Sequence, residues 1–341
     1  MHTSVASDAP RDELLEEPPY GVIWDEIEEG KVIPFLGAGA SLCGRPTREA
    51  RWTGADDAFL PNGSELGSWL ADLCRFPDRT DLDLAKIASY YEVQAHRRYL
   101  VKRLREVFSK DYAPGPIHEF LAGCPRPLLI VTTNYDNLIE KAFAAVGRPY
   151  HLVVYPEREE YAGSVLWWKP GAVEPEAHKP AMLPLSLTDT TIIYKMHGSI
   201  STRAAWNSFV ITEEDYVRFL ARMTEKLAIP PRFMMHFRQS AFLFLGYGLR
   251  DWNLRVMLEN LHRTFRRDQP KDTSPGEVPD PFADYLEQYE DVELTAWAIQ
   301  HRPSTLERTL WKSRRIGIYD VDLEDFVAGL RSERMIRGGR S

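Results

Sequence analysis

Four short segments hold residue types suited to handling a nucleotide: "GAGAS" from Gly37, "TTNYD" from Thr132, "MHGS" from Met196 and "GYGLRDWN" from Gly246. Gly37 and Gly39 carry no Cβ, so backbone amides can approach a diphosphate, and Ser41 adds a hydroxyl. Any tight strand-to-helix turn can use the same G-A-G. The common dinucleotide fingerprint G-x-G-x-x-G is also broken, because Leu42 occupies the third glycine's place and Gly44 comes two residues late. Asn134 offers a carboxamide to a sugar or a water. His197, with an ordinary pKa of about 6.5, suits general-base work, although a histidine beside Gly198 is also a normal turn residue. Asp136 and Asn137 compete to cap the helix that follows, with Glu140 as Asn137's partner three residues on. Gly246 and Gly248 permit a second close backbone approach. Asp251 would cap a helix starting near Trp252, and Arg250 would reach either an acidic ligand or a neighbouring carboxylate.

Such residues act together only if the fold brings them together. "VIPFL", "PLLIVTTN", "YHLVVY", "TIIYKMHGS", "AFLFLGYG", "TAWAIQ" and "IGIYDVD" read as buried strands. Helical patterns follow several of them, in "NLIEKAFAAVG", "WNLRVMLENLHRTF" and "LEDFVAGLR". This alternation predicts an α/β fold with a mostly parallel sheet covered on both faces, where ligands bind at the carboxyl ends of strands. All four segments stand at such ends. Pro34 interrupts the first strand or turns its ring toward an unpaired side. "GVIWDEIEEG" is a helix stopping at Gly30, residues 47–121 form a mainly helical insert, and loops are expected at 156–190 and 268–285.

The 341 residues suffice for one large core, and 44% hydrophobic with 27% charged residues is an ordinary globular composition. Lys plus Arg number 42 against 50 Asp plus Glu, a formal charge of −8, which argues against direct nucleic-acid binding by this chain alone. Arg263, Arg266 and Arg267 form a local basic cluster that reads either as a small nucleic-acid patch or, in preference, as a solvated helix end. Cys43, Cys74 and Cys124 are scattered, with no C-x-x-C pair, so neither a zinc site nor a disulfide framework is expected and a reducing cytoplasmic setting fits. The acidic N-terminus is no signal peptide, and no apolar run approaches the roughly 20 residues of a membrane span.

The ordered set "FLGAGAS", "TTNYDNL", "KMHGSI", "FLFLGYGLRDWNLR" resembles the sirtuin-like domain of bacterial antiphage defence proteins, over roughly residues 20–332. The resemblance implies a modified Rossmann fold that uses G-A-G without the third glycine, flanked by tails at 1–19 and 333–341. It implies NAD+ as substrate, with Asn134 and His197 catalytic. Gly37, Ala38, Gly39, Ser41, Thr133, Asp136, Gly246, Tyr247, Arg250 and Asp251 would bind the dinucleotide. Two departures stand out. Three scattered cysteines cannot build the four-cysteine zinc module of deacetylating sirtuins, and Gly248 stands where those enzymes usually carry serine. The expected activity is therefore hydrolysis of NAD+ to nicotinamide and ADP-ribose, with protein deacylation or non-catalytic NAD/ADP-ribose sensing as the alternatives. The resemblance further implies a homo-oligomer. Because little chain follows "DLEDFVAGLR", activation is expected from a separate protein, helicase-like ATPase or Argonaute-type. The insert and residues 156–190 are the expected contact surfaces.

Overall fold

The computed structural model describes residues 17–47, 49–78, 80, 82–201, 203–248, 296–312 and 316–338. Arg250, Asp251, the helix expected from Trp252, the basic cluster Arg263, Arg266 and Arg267, and the loop expected at 268–285 lie outside the described residues, as does most of the 1–19 segment. The strands are β1 (Val32–Leu36), β2 (Leu129–Thr132), β3 (Tyr150–Val154), β4 (Val165–Trp168), β5 (Glu176–His178), β6 (Thr191–Lys195), β7 (Gly198–Ser199), β8 (Ser208–Phe209), β9 (Ala241–Leu245), β10 (Ala296–Ile299) and β11 (Ile316–Tyr319). Among the described residues, nine of them form one sheet in the order β11-β10-β9-β1-β2-β6-β3-β4-β5. Pairing is parallel from β11 to β3, and β4 and β5 add an antiparallel edge. Short β7 and β8 pair separately.

The helices are α1 (Tyr20–Glu29), α2 (Gly63–Cys74), α3 (Leu84–Ala95), α4 (Arg97–Phe108), α5 (Pro116–Ala122), α6 (Leu138–Ala145), α7 (Glu213–Thr224), α8 (Pro231–Phe237), α9 (Thr305–Lys312) and α10 (Leu323–Gly338). Strand side chains alternate between two cores. Val32, Leu36, Ile130, Ile193, Leu243 and Leu245 meet α1, α5, α6 and α10 on one face. Ile33, Phe35, Val131, Ile192, Phe242 and Phe244 meet α7, α8 and Trp311 of α9 on the other. Each such side chain stabilises by about 1.5–3 kcal/mol when buried, so both faces demand apolar residues and the strands read as unbroken apolar runs. A third core joins α2, α3 and α4 to Tyr135, Leu138, Phe209 and Ile211 outside the expected insert, whereas α5, expected within it, packs with α1 and α6.

Local chemistry explains the boundaries. Gly30 ends α1 in the left-handed region (φ 71°), and the next amide, of Lys31, closes back on the Glu26 carbonyl at 2.8 Å. β1 is continuous through Pro34. Its odd-numbered amides face β9, as the Gly37 N–H to Leu245 carbonyl bond shows, so Pro34 faces β2, whose pairing with β1 begins only at Phe35. The second of the two expectations for Pro34 therefore holds.

Two expectations need correction. The 156–190 segment is not simply a loop, since "VLWW" and "EAH" pair as β4 and β5, with Val153 opposite Trp167. The C-terminal tail does not begin at 333, because α10 runs to Gly338 and its Arg337 bonds Asp25 and the Gly21 carbonyl of α1.

Candidate active site

Register places the four segments in one row. Leu36 pairs with Thr132 on one side and Leu245 on the other, and Thr132 pairs with Lys195. The residues that follow, Gly37, Thr133, Gly246 and Met196, therefore leave the sheet side by side. Strand order reverses between β1 and β9, the crevice where open α/β sheets hold ligands.

Asn134 leaves β2 and turns back over the first loop. Its Nδ2 donates to the Gly37 carbonyl and to Ser41 Oγ, both at 2.9 Å. A carbonyl accepts only from the nitrogen, so this bond settles the amide's orientation and leaves Oδ1 as a fixed acceptor. No group among the described residues donates to Oδ1. The Ser41 hydroxyl in turn donates to Asp136 Oδ2 at 2.7 Å, and Asp136 Oδ1 accepts the Leu138 N–H at 3.1 Å. Asp136, not Asn137, thus supplies the first side-chain bond of α6. Asn137 makes no capping bond, and Glu140 turns to Lys195, so the Asn137–Glu140 capping box is not formed.

Lys195 was not singled out from the sequence, although a lysine inside "TIIYK" is a visible irregularity. It is fully buried, and its Nζ reaches the Asp136 carbonyl and Glu140 Oε1, the latter at 2.7 Å. Two residues before His197, it ties the strand bearing the histidine to the loop bearing the asparagine. The Ile200 N–H to Tyr135 carbonyl bond (2.8 Å) and the Tyr135 hydroxyl to Val210 carbonyl bond (2.6 Å) reinforce the tie.

His197 is 3% exposed, with its ring edge-on to Tyr216 (5.4 Å) and Phe219 (5.5 Å) of α7. Its carbonyl accepts the Val210 N–H at 2.9 Å. Gly198 beside it has φ 86°, and a Cβ there would lie 2.2 Å from the Ser208 carbonyl oxygen, so only glycine allows this sharp exit. Aromatic packing thus fixes the imidazole while leaving it at a cavity wall.

That cavity, about 250 Å³, is bordered by Asn134, His197 and Asp136 on the sheet side. The insert lines it with Leu60, Pro61, Asn62, Leu66, Leu84 and Phe108, and Tyr216 of α7 borders it as well. None of these wall residues was singled out in the sequence. The "NGSE" capping box at Asn62 was the available signal, and it marks a helix start rather than a site.

Of the residues expected to bind a dinucleotide, Gly37, Ala38, Ser41, Thr133, Asp136 and Tyr247 border the cavity. Gly39 and Gly246 instead pack the two loops together. The Gly39 N–H donates to the Gly246 carbonyl at 2.8 Å, and a Cβ on Gly39 would lie 2.7 Å from that oxygen. A one-turn 3-10 helix (Ala38–Ser41), rather than a long helix, follows Gly37. Arg250 and Asp251 lie outside the described residues.

Two further ionisable groups lie close by. Burial pushes the Cys43 thiol up to about 11, with the negative Asp136 adding to it, so a thiolate nucleophile at neutral pH is unsupported. Burial lowers the His118 pKa, with the Asp136 charge opposing, and its Nδ1 accepts the Gly115 N–H at 3.1 Å. His118 is therefore a neutral structural imidazole. Among the described residues no group of three or more His, Cys, Asp or Glu could hold a metal ion, and no helix is long and apolar enough to cross a membrane.

Residues 128–319, which span β2 to β11 and include Asn134 and His197, match the family described as the SIR2-like domain. The chain belongs to that family. This SIR2-like chain is 25% identical over 245 residues to the NAD(+) hydrolase ThsA of Acinetobacter baumannii (strain 532279), covering 72% of this chain and 42% of that protein. It is 26% identical over 256 residues to the NAD(+) hydrolase ThsA of Enterococcus faecium, covering 72% and 43%. It is 24% identical over 252 residues to the Defense-associated sirtuin 2 of Bacillus subtilis, covering 72% and 20%. The SIR2-like chain thus spans less than half the length of these curated relatives.

Proposed function

We propose that this SIR2-like chain hydrolyses the nicotinamide–ribose bond of NAD+, as an NAD-depleting effector of antiphage defence. One observation carries the reading: a fixed carboxamide acceptor, Asn134 Oδ1, and the His197 imidazole border one cavity at the ends of adjacent strands. The names of the relatives, NAD(+) hydrolase and defence-associated sirtuin, support it.

The chemistry follows from the groups present. The bond to be cleaved joins a cationic pyridinium to ribose, so nicotinamide departs neutral with the bonding pair, leaving an oxocarbenium-like sugar. Asn134 Oδ1 accepts a hydrogen bond from the attacking water or a ribose hydroxyl and holds it beneath the anomeric carbon. His197 takes the proton the water releases as its oxygen bonds that carbon. The balance is NAD+ plus water to nicotinamide, ADP-ribose and one proton. Gly37, Ala38, Ser41, Thr133 and Tyr247 are assigned to hold the dinucleotide against the β1 and β9 loops, and Asp136 to brace Ser41.

An enzyme that drains NAD+ must be held in check, so the same reading includes cytoplasmic action and activation by assembly of copies or by a separate protein. The test is NAD+ consumption by the purified chain, alone and with the product of its genomic neighbour. Asn134→Ala and His197→Ala should each abolish it, and undiminished turnover in both variants overturns the mechanism.

A further inference from the structure

His197 leaves β6 into a corner that the large sheet alone does not hold. Its carbonyl accepts the Val210 N–H, the next residue, Gly198, pairs with Phe209 of β8, and its ring stands edge-on to Tyr216 and Phe219 of α7. The place of the imidazole therefore depends on where β8 and the first turns of α7 stand. Neither belongs to the nine-stranded sheet.

One guanidinium fastens both. Arg97 opens α4 in the insert, its Nη2 donates to the Phe209 carbonyl at 2.6 Å, and its Nη1 donates to Asp215 Oδ2 at 2.7 Å. Asp215 directly precedes Tyr216, has a fully buried side chain, and accepts the Ile211 and Thr212 amides where α7 begins. Nη2 also reaches Glu157 at 3.2 Å, and the Glu157 N–H donates to Ser208 Oγ of β8 at 2.7 Å. A planar fork that donates in several fixed directions at once is particular to arginine, whereas lysine brings the same charge as a point. The backbone is strained to set this fork. His96, the single residue between α3 and α4, takes φ 67° and ψ 151°, a region that residues with a Cβ rarely enter. A rivet between the insert and the sheet could stand anywhere along their contact. This one stands on the two segments that flank the histidine.

We infer that Arg97 is a positioning residue for the proposed hydrolysis, holding the His197 imidazole in place from the insert by way of Phe209 and Asp215. The inference rests on the NAD+ reading above and adds to it a residue that does not border the cavity.

The test reads the ring directly. Proton–nitrogen correlation spectra of protein labelled at histidine follow His197, whose ring signals are those absent from His197→Ala. Arg97→Lys keeps the charge and loses the fork, and should shift or broaden these signals. Ser89→Ala is the control and should leave them in place. It breaks a different tie between the insert and α7, in which Ser89 Oγ accepts the Glu213 N–H at 2.9 Å and donates to Glu214 at 3.0 Å. NAD+ turnover by Arg97→Lys should fall roughly tenfold or more, since a small misplacement of a reacting group costs up to about a hundredfold. The calorimetric Kd for ADP-ribose should stay within about twofold, because the cavity lining is untouched. Arg97→Gln combined with Glu157→Gln leaves Asp215 paired with Arg218 and guards against a folding defect in the lysine variant. His197 signals unmoved by either folded variant, signals moved as far by Ser89→Ala, or ADP-ribose binding lost in step with turnover overturns the assignment. Wild-type protein that consumes no NAD+, alone or with its neighbour, overturns the NAD+ reading instead, and the ring spectra still decide whether Arg97 sets the imidazole.

Discussion

The insert wall is held to the rest of the protein by a buried charge cluster, and its removal should loosen both fold and cavity. Arg97 of α4 donates to Asp215 Oδ2 of α7 at 2.7 Å, to the Phe209 carbonyl at 2.6 Å and to Glu157 at 3.2 Å. Asp215 also accepts from Arg218 at 2.6 Å and from the Ile211 and Thr212 amides at 3.0 Å each, and its side chain is fully buried. Solvent screening is therefore weak here, unlike at a surface ion pair. Removing one partner of a buried pair costs about 3–5 kcal/mol. Asp215→Asn keeps the shape and Glu157 still faces Arg97, so the lower figure applies. At about 2 °C per kcal/mol for a chain of this size, Tm should fall by about 6 °C. Adjacent Tyr216 packs on His197, so NAD+ turnover should fall too. The pH dependence isolates the charge. Burial tends to raise the Asp215 pKa, but Arg97 and the Thr212 and Ile211 amides outweigh it and hold it below 3.8. A depressed carboxyl contributes stability that is present above its unfolded value of about 3.8 and lost as pH falls through the lower folded value. The gap between wild type and Asp215→Asn, measured as urea-unfolding free energy, should be full at pH 7 and shrink below about pH 4. Glu157 works the other way, its pKa raised by burial, so Glu157→Gln in both backgrounds keeps its titration out of the comparison. A gap that stays constant down to pH 3.5 refutes the electrostatic account and leaves only shape.

Two further substitutions probe the sheet side. Lys195→Met strands the Glu140 carboxylate and the Asp136 carbonyl, so it should destabilise by about 3–5 kcal/mol, while Lys195→Met with Glu140→Leu should recover most of that in a thermal melt but not the NAD+ turnover, because Asp136 stays unclamped. A double variant as unstable as the single one rules out the stranded charge as the cause. Gly246→Ala puts a side chain on a residue at φ 59°, with its Cβ 2.4 Å from the Ala40 nitrogen, so it should cost more than the roughly 1–2 kcal/mol of left-handed strain alone and weaken ADP-ribose binding; a calorimetric Kd equal to wild type refutes the loop–loop contact as a determinant of the site.

These perturbations fall on two kinds of residue, and the sequence exposed only one of them. Strand-end residues were legible because a parallel sheet carries all its carboxyl ends on one edge, so Asn134 and His197 follow from recognising β2 and β6 as strands. Edge strands β4 and β5 were not, since strands of four and three residues carry too little pattern. The insert helices were readable from their spacing, but their place over the sheet was not. It depends on contacts such as Arg97 to Asp215, 118 residues apart, which leave no local trace, so Leu66, Leu84 and Phe108 read as core positions of a subdomain rather than as a cavity wall.

The glycines show the same limit most sharply. G-A-G and G-Y-G each announce that a backbone must come close to something, and the sequence does not say to what. For Gly39 and Gly246 the structure answers that each approaches the other, which joins the loops after β1 and β9. The loops then behave as one braced unit. Gly37 gives its N–H to Leu245 and its carbonyl to Asn134, so under the proposed function recognition of the sugar would fall to side chains, Asn134 foremost, rather than to a run of open amides. The missing third glycine fits this arrangement. That glycine serves close packing of a helix that here is replaced by a single 3-10 turn.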